Sequence, residues 1–275
     1  MLDGLRKQAS RRRGARVTKG AKARPGRTTR GAKTVSPPRG VAFFDFDNTL
    51  IHGDAGPAFG RSLFSARLHE RGQWGRAKLR ARYAPYILWM ALQAGLYKVR
   101  ARRRSNLVRS AYRGLKGIPT GELEPLVAAF VDREIPALVF PEMRAIVARH
   151  QAAGLRCVVI TTGMETLVKG AVRHVGPDIE VIGCRLLSGK KGRLTGRVVG
   201  PLFGVDKANI LDAYCRALGV DPRHCWAYSD HFSDKQMLEA VGNGVAVNPK
   251  GRFRKLAIRN RWDVLDLAEP GRADA

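Results

Sequence analysis

An apolar run that ends in two closely spaced acids constrains this chain more than any other feature. Val41-Ala42-Phe43 leads directly into Phe44-Asp45-Phe46-Asp47-Asn48-Thr49-Leu50. Carboxylates are costly where a strand is buried, so acids delivered by such a strand belong to its end and to a site. If Asp45 and Asp47 sit just past the strand's carboxyl end, their side chains share one crevice. One can then act as nucleophile and the other as general acid and base, with a cation offsetting their mutual repulsion. Such a pair is useful at a phosphoryl-transfer site, and an enzyme is the leading expectation.

From residue 41 onward, strand and helix signals alternate. Val41–Phe46 and Leu155–Ile160 read as strands, the second preceded by a helix near 141–153 that Gly154 ends. Val181–Leu187 and Gly196–Val199 read as a hairpin around Ser188–Gly192. A helix at about 206–218 is stopped by Gly219, and short strands at His224–Tyr228 and Gly244–Val247 flank a helix at 233–241. This alternation predicts an α/β fold with a doubly wound parallel sheet. The stretch between the first two strands is far too long for one crossover, and its pattern is helical. The expected organisation is a core of residues 39–53 and 141–268, with 54–140 as an inserted helical module.

Charge divides the chain unevenly. Residues 1–40 carry 13 Lys/Arg against one acid, residues 41–116 carry 15 against four, and the remaining 159 carry 22 against 18. Residues 1–38 are nearly free of large apolar side chains and are expected to form a disordered basic arm, suited to nucleic acid or anionic lipid. Within the inserted module, Gln93 is the one strongly polar residue between Tyr83 and Tyr97, and basic clusters flank this stretch on both sides. It reads either as a helix lying in a lipid headgroup region or as a core helix of the module. No apolar run reaches the roughly 20 residues that span a bilayer, and the first 40 residues lack an apolar leader. The expectation is a cytoplasmic protein with a peripheral membrane role left open. Cys157, Cys184, Cys215 and Cys225 form no C-x-x-C pair and are expected to be small buried residues.

Four sequence features taken together resemble a known family. Asp45-Phe46-Asp47-Asn48-Thr49 resembles the D-x-D-x-T motif of haloacid dehalogenase (HAD) superfamily phosphatases. Thr161, after Val158-Val159-Ile160, resembles the second-motif Ser/Thr. Lys207 in Gly204-Val205-Asp206-Lys207 resembles the third-motif lysine, and Ser229-Asp230-His231-Phe232-Ser233-Asp234 the acidic D-x-x-x-D motif. All four occur in the family's order, over about residues 41–265. Their spacing is similar to subfamily IB, the phosphoserine-phosphatase-like branch, which has a Rossmann-like core and a helical cap.

The resemblance implies a mechanism. Asp45 attacks phosphorus and becomes an aspartyl phosphate, and Asp47 protonates the leaving oxygen and later deprotonates water. Mg²⁺ is held by Asp45, the Asp47 carbonyl and Asp230, with Asp234 as ligand or support. Thr161 and Lys207 bind phosphoryl oxygens, and Thr49 orders the loop. Asp47 argues for an oxygen leaving group, and the absence of a G-x-x-x-x-G-K-[ST] run argues against a nucleotide cofactor. Thr162 is the alternative to Thr161, and His231 is expected to face solvent. Asp54 falls where phosphoserine phosphatases carry a substrate-contacting Glu. The expected substrate is a small or lipid-linked phosphomonoester. Phosphoserine hydrolysis, phosphotransfer to an alcohol, and a polyanion- or membrane-binding protein with a secondary or silent phosphatase core are the other readings.

Overall fold

The computed structural model describes residues 38–69, 104–201 and 204–270, together with Ala77, Ala81, Ala84, Leu88 and Leu92. The basic arm up to residue 37 and most of Tyr83–Tyr97 lie outside the described residues. Seven strands form one sheet: β1 (Val41–Phe44), β2 (Arg156–Met164), β3 (Ile179–Ser188), β4 (Leu194–Val199), β5 (Trp226–Ser229), β6 (Asn243–Val247) and β7 (Asp263–Leu265). Among the described residues, helices with defined bounds are α1 (Ala55–His69), α2 (Arg104–Arg113), α3 (Thr120–Glu134), α4 (Pro141–Ala152), α5 (Glu165–Ala171), α6 (Gly204–Leu218), α7 (Lys235–Glu239) and α8 (Gly251–Arg259). Strand order is β4-β3-β2-β1-β5-β6-β7. Every neighbouring pair is parallel except β3 and β4, which form the expected antiparallel hairpin.

The apolar run of β1 is continuous because both faces of the central strand are covered. Val41 and Phe43 point into a layer with Leu211, Tyr214 and Leu256, while Ala42 and Phe44 point into a second layer with Phe140 and Val147. Burying each phenylalanine contributes about 2–3 kcal/mol. Helix α4 starts at Pro141, whose missing N–H costs nothing in the first turn. It stops before Gly154, which adopts a φ of +79°. The strand β7 and the helix α8 were not foreseen from the sequence. Three residues of β7 carry too little pattern to stand out, and α8 is so basic that only Phe253, Leu256 and Ala257 mark its buried side. All four cysteines are buried and free.

Helices α1, α2 and α3 lie between β1 and β2 in sequence and leave and rejoin the sheet through one narrow neck. There Ile51 bridges Val139 in antiparallel fashion. The His52 N–H donates to the Leu138 carbonyl at 2.7 Å, and the Phe140 N–H donates to the Leu50 carbonyl at 3.1 Å. Their inner side chains, among them Phe59, Tyr112, Leu123 and Phe130, join the same apolar layer as Phe44.

Candidate active site

Strand β1 delivers the first acid through one more ladder bond than its own length. The Asp45 N–H donates to the Tyr228 carbonyl of β5 at 2.9 Å, which fixes the backbone at the point where the carboxylate emerges. Phe46 is fully buried in the core and anchors the segment between the two acids. Asn48 then adopts a φ of +55°, a conformation that asparagine tolerates better than most residues. Its side chain closes the loop, accepting from the Gly53 N–H and donating to the Asp54 carboxylate, both at 3.0 Å. The chain thus turns back so that Asp47 meets the start of α1, where its Oδ1 accepts from the Ala55 N–H at 2.8 Å.

The loop after β5 supplies the second acidic group. Thr49 is fully buried, and its hydroxyl accepts from the Asp230 N–H at 3.1 Å, stitching this loop to the first. Asp234 is held inside by Ser229 Oγ at 3.0 Å and Ser233 Oγ at 3.1 Å. Helix α6 abuts the same loop at Gly204, where a Cβ would lie only 1.6 Å from the Ser233 carbonyl oxygen. Glycine alone permits that approach, and it sets Lys207, one turn later, over the acids.

Lys207 is the centre of the arrangement. Its Nζ lies 2.8 Å from Asp45 Oδ2 and 2.6 Å from Asp234 Oδ2, and all three side chains are buried. Two carboxylates share one ammonium, so the cluster is short of positive charge. Burial pushes the Asp45 carboxyl up to about 6; Lys207 pulls it down, and Asp234 pushes it further up. Asp47 is pushed up to about 7, again chiefly by burial, against the pull of the Ala55 N–H and with Asp45 and Asp54 adding repulsion. Burial alone would depress Lys207, but Asp234 and Asp45 together hold its ammonium above the ordinary lysine range.

The remaining expected residues take varied places. Thr161 is buried within β2, just past Ile160 where the register with β3 shifts, and its hydroxyl accepts from the Gly163 N–H at 2.9 Å. The register pairs Phe44 with Val159, so Thr161 and Phe46, two residues on, reach the same edge of the sheet. Thr162 is half-buried and uses its carbonyl to accept from the Tyr112 hydroxyl at 2.9 Å. Asp54 is exposed and bound to Asn48. His231 does not simply face solvent: its Nδ1 accepts from the Ser233 N–H at 3.0 Å and caps the turn that carries Asp234. Sequence reasoning passed over Ser229, Tyr112 and Gly204. A serine closing a strand just before an acid was a usable signal for the first; nothing local marks the other two.

A hard divalent cation suits the donors here. The Asp45 carboxylate, the Asp47 main-chain carbonyl and the Asp230 carboxylate are all oxygens, and the surplus negative charge around Lys207 calls for a cation. Among the described residues no three His, Cys, Asp or Glu side chains converge as a metal-holding group. Asp234 is already engaged by Lys207, Ser229 and Ser233, which fits the supporting role better than that of a ligand.

Residues 42–239 match a protein family described as haloacid dehalogenase-like hydrolase. The chain is 30% identical over 243 residues to the "Inhibition of morphological differentiation protein" of Streptomyces azureus, covering 88% of this chain and 84% of that one. It is also 30% identical over 232 residues to "Phosphoserine phosphatase SerB1" of Mycobacterium tuberculosis, covering 82% and 70% respectively. A crystal structure of a Bordetella pertussis protein of unknown function superposes with a TM-score of 0.67 at 24% identity, over 83% of this chain and 99% of that one. That likeness establishes the fold.

Proposed function

This chain belongs to the haloacid dehalogenase-like hydrolases, and from that premise we propose that it hydrolyses a phosphomonoester through an aspartyl phosphate on Asp45, with Mg²⁺ as cofactor. The observation that carries the reading is the buried bridge from Asp45 through Lys207 to Asp234, set beside Asp47 at the carboxyl edge of the sheet. Open α/β sheets bind ligands at that edge.

Asp45 Oδ attacks phosphorus, the bond from phosphorus to the ester oxygen breaks, and Asp47 gives that oxygen its proton. Water then attacks the aspartyl phosphate, Asp47 takes the proton back, and the bond from Asp45 to phosphorus breaks to release inorganic phosphate. The Asp47–Ala55 bond holds the acid in place for both steps. Lys207 keeps Asp45 ionised for attack and offsets charge on the transferring oxygens, with Thr161 as a second phosphoryl contact. Asp234 fixes the lysine. Magnesium, held by Asp45, the Asp47 carbonyl and Asp230, would neutralise charge on the phosphoryl group.

The substrate is a small or lipid-linked phosphate ester. Phosphoserine is the specific second reading, favoured by the relative named phosphoserine phosphatase and by a carboxylate, Asp54, poised beside the loop of Asp47. Release of phosphate from p-nitrophenyl phosphate and a phosphomonoester panel, with Mg²⁺ or chelator, tests the proposal. Metal-dependent release by the wild type that Asp45→Asn abolishes is expected. A folded, magnesium-supplied protein that releases none, or an Asp45→Asn variant near wild-type rate, would overturn it.

A further inference from the structure

His231 stands where the loop after β5 enters the short helical turn Phe232–Asp234. Its backbone is extended, with φ of −121° and ψ of 139°, and its side chain does what serine or asparagine usually does at such a start. Nδ1 accepts from the Ser233 N–H at 3.0 Å. A main-chain N–H can only donate, so Nδ1 is the bare nitrogen of the ring and the hydrogen sits on Nε2. The His231 N–H donates to Ser229 Oγ at 3.3 Å, and the Asp234 N–H closes the turn on the His231 carbonyl at 3.0 Å. From outside, the Arg252 guanidinium of α8 lies 3.7 Å over the Phe232 ring and holds the same turn.

The Ser233 residue gripped in this way is used on three sides. Its N–H goes to His231, its Oγ donates to Asp234 Oδ1 at 3.1 Å, and its carbonyl oxygen is the group against which Gly204 of α6 packs. Asp234 and Gly204 both lead to Lys207. Asp234 Oδ2 lies 2.6 Å from Lys207 Nζ, which lies 2.8 Å from Asp45 Oδ2. Gly204 opens the helix that carries the lysine. A turn that loses its cap and rotates therefore displaces Lys207 by two routes, the carboxylate and the helix start.

We propose that His231 is a positioning residue of the phosphoryl-transfer site: through Nδ1 it fixes the Ser233 peptide, and through that peptide it sets Lys207 against Asp45. The inference rests on the phosphatase reading for its kinetic consequence. It assigns the work to the inner nitrogen of the ring, whereas contact with substrate would use Nε2. Asparagine and glutamine separate the two roles. The asparagine Oδ1 takes the place of Nδ1 and can cap the turn, while the glutamine amide reaches the place of Nε2.

The test compares wild type with His231→Ala, His231→Asn and His231→Gln. Hydrolysis of p-nitrophenyl phosphate with Mg²⁺ is counted per folded molecule, and hydrogen exchange of the Ser233 amide is followed without substrate. Alanine and glutamine should lower kcat about tenfold or more, since small displacements of catalytic groups have effects of that size, with KM little changed. Both should speed exchange of the Ser233 amide, and asparagine should restore rate and protection together. Rescue by glutamine rather than asparagine would overturn the inference, as would a raised KM at unchanged kcat. So would a His231→Ala variant with the wild-type kcat or the wild-type amide protection. If His231→Ala fails to fold, the asparagine and glutamine variants decide by the same criteria. A wild type that releases no phosphate would sink the phosphatase reading, and amide exchange would still decide whether His231 holds the turn.

Discussion

At the scale of single residues, the site is an exercise in placing too little positive charge among buried acids. Lys207→Met should leave Asp45 and Asp234 facing each other without a counter-charge. Unfolding in urea without added metal is then expected to show a loss of about 3–5 kcal/mol. A variant as stable as wild type would mean that the acids are better solvated than their burial implies. Gly204→Ala should lower both stability and turnover, because the new methyl cannot share space with the Ser233 carbonyl oxygen. The shift would carry Lys207 away from Asp45, so kcat should fall more than KM rises. Asp45, Asp47, Lys207 and Asp234 were legible in the sequence because each lies beside the strand or turn that presents it. Gly204 was not: its necessity comes from a loop about 30 residues further along the chain, and only the folded contact reveals it.

Between elements, two aromatic links matter. Tyr112 of α2 donates to the Thr162 carbonyl beyond the core of β2, tying an inserted helix to the edge that carries Thr161. Tyr112→Phe should cost about 1 kcal/mol of stability, the usual worth of one such bond. Its signature in kinetics should be a raised KM with kcat little changed. His150 joins α4 to β5, with its Nε2 2.7 Å from the Tyr228 hydroxyl and its ring against Trp226. Burial lowers its pKa to about 4, with Arg149 adding repulsion. The unfolded chain therefore protonates this ring first, near its ordinary value of 6.5. The stability that neutral His150 contributes is complete above pH 6.5 and is lost as the pH falls towards 4. His150→Gln should flatten the wild-type decline across that window, and parallel stability curves would show that other groups cause it. The alternation of strand and helix was readable here because period and punctuation are local. The bounds moved where loops took over: the first strand stops at Phe44, whereas β2 runs on to Met164. Ladder bonds to neighbouring strands decide such ends, and no single segment records them.

Over the whole molecule, repulsion among 50 Lys/Arg opposed by 23 Asp/Glu should make stability depend on salt. The melting temperature is expected to rise as sodium chloride goes from about 0.05 to 0.5 M, where screening shortens the reach of like charges from roughly 14 to 4 Å. A flat or falling curve would mean that ion pairs such as Arg254–Asp266 outweigh the net repulsion. The neck at Ile51 and Val139 has a different consequence. It brings the two ends of everything between them to within about 5 Å, the spacing of paired strands, beside the loop of Asp47. Such a junction is a splice site. A foreign cassette with closely spaced ends could replace the native one and inherit the same chemistry, provided it arrives with its own greasy underside to cover Phe44 and its neighbours. New substrate preferences could then be acquired by exchange, with the catalytic acids never touched.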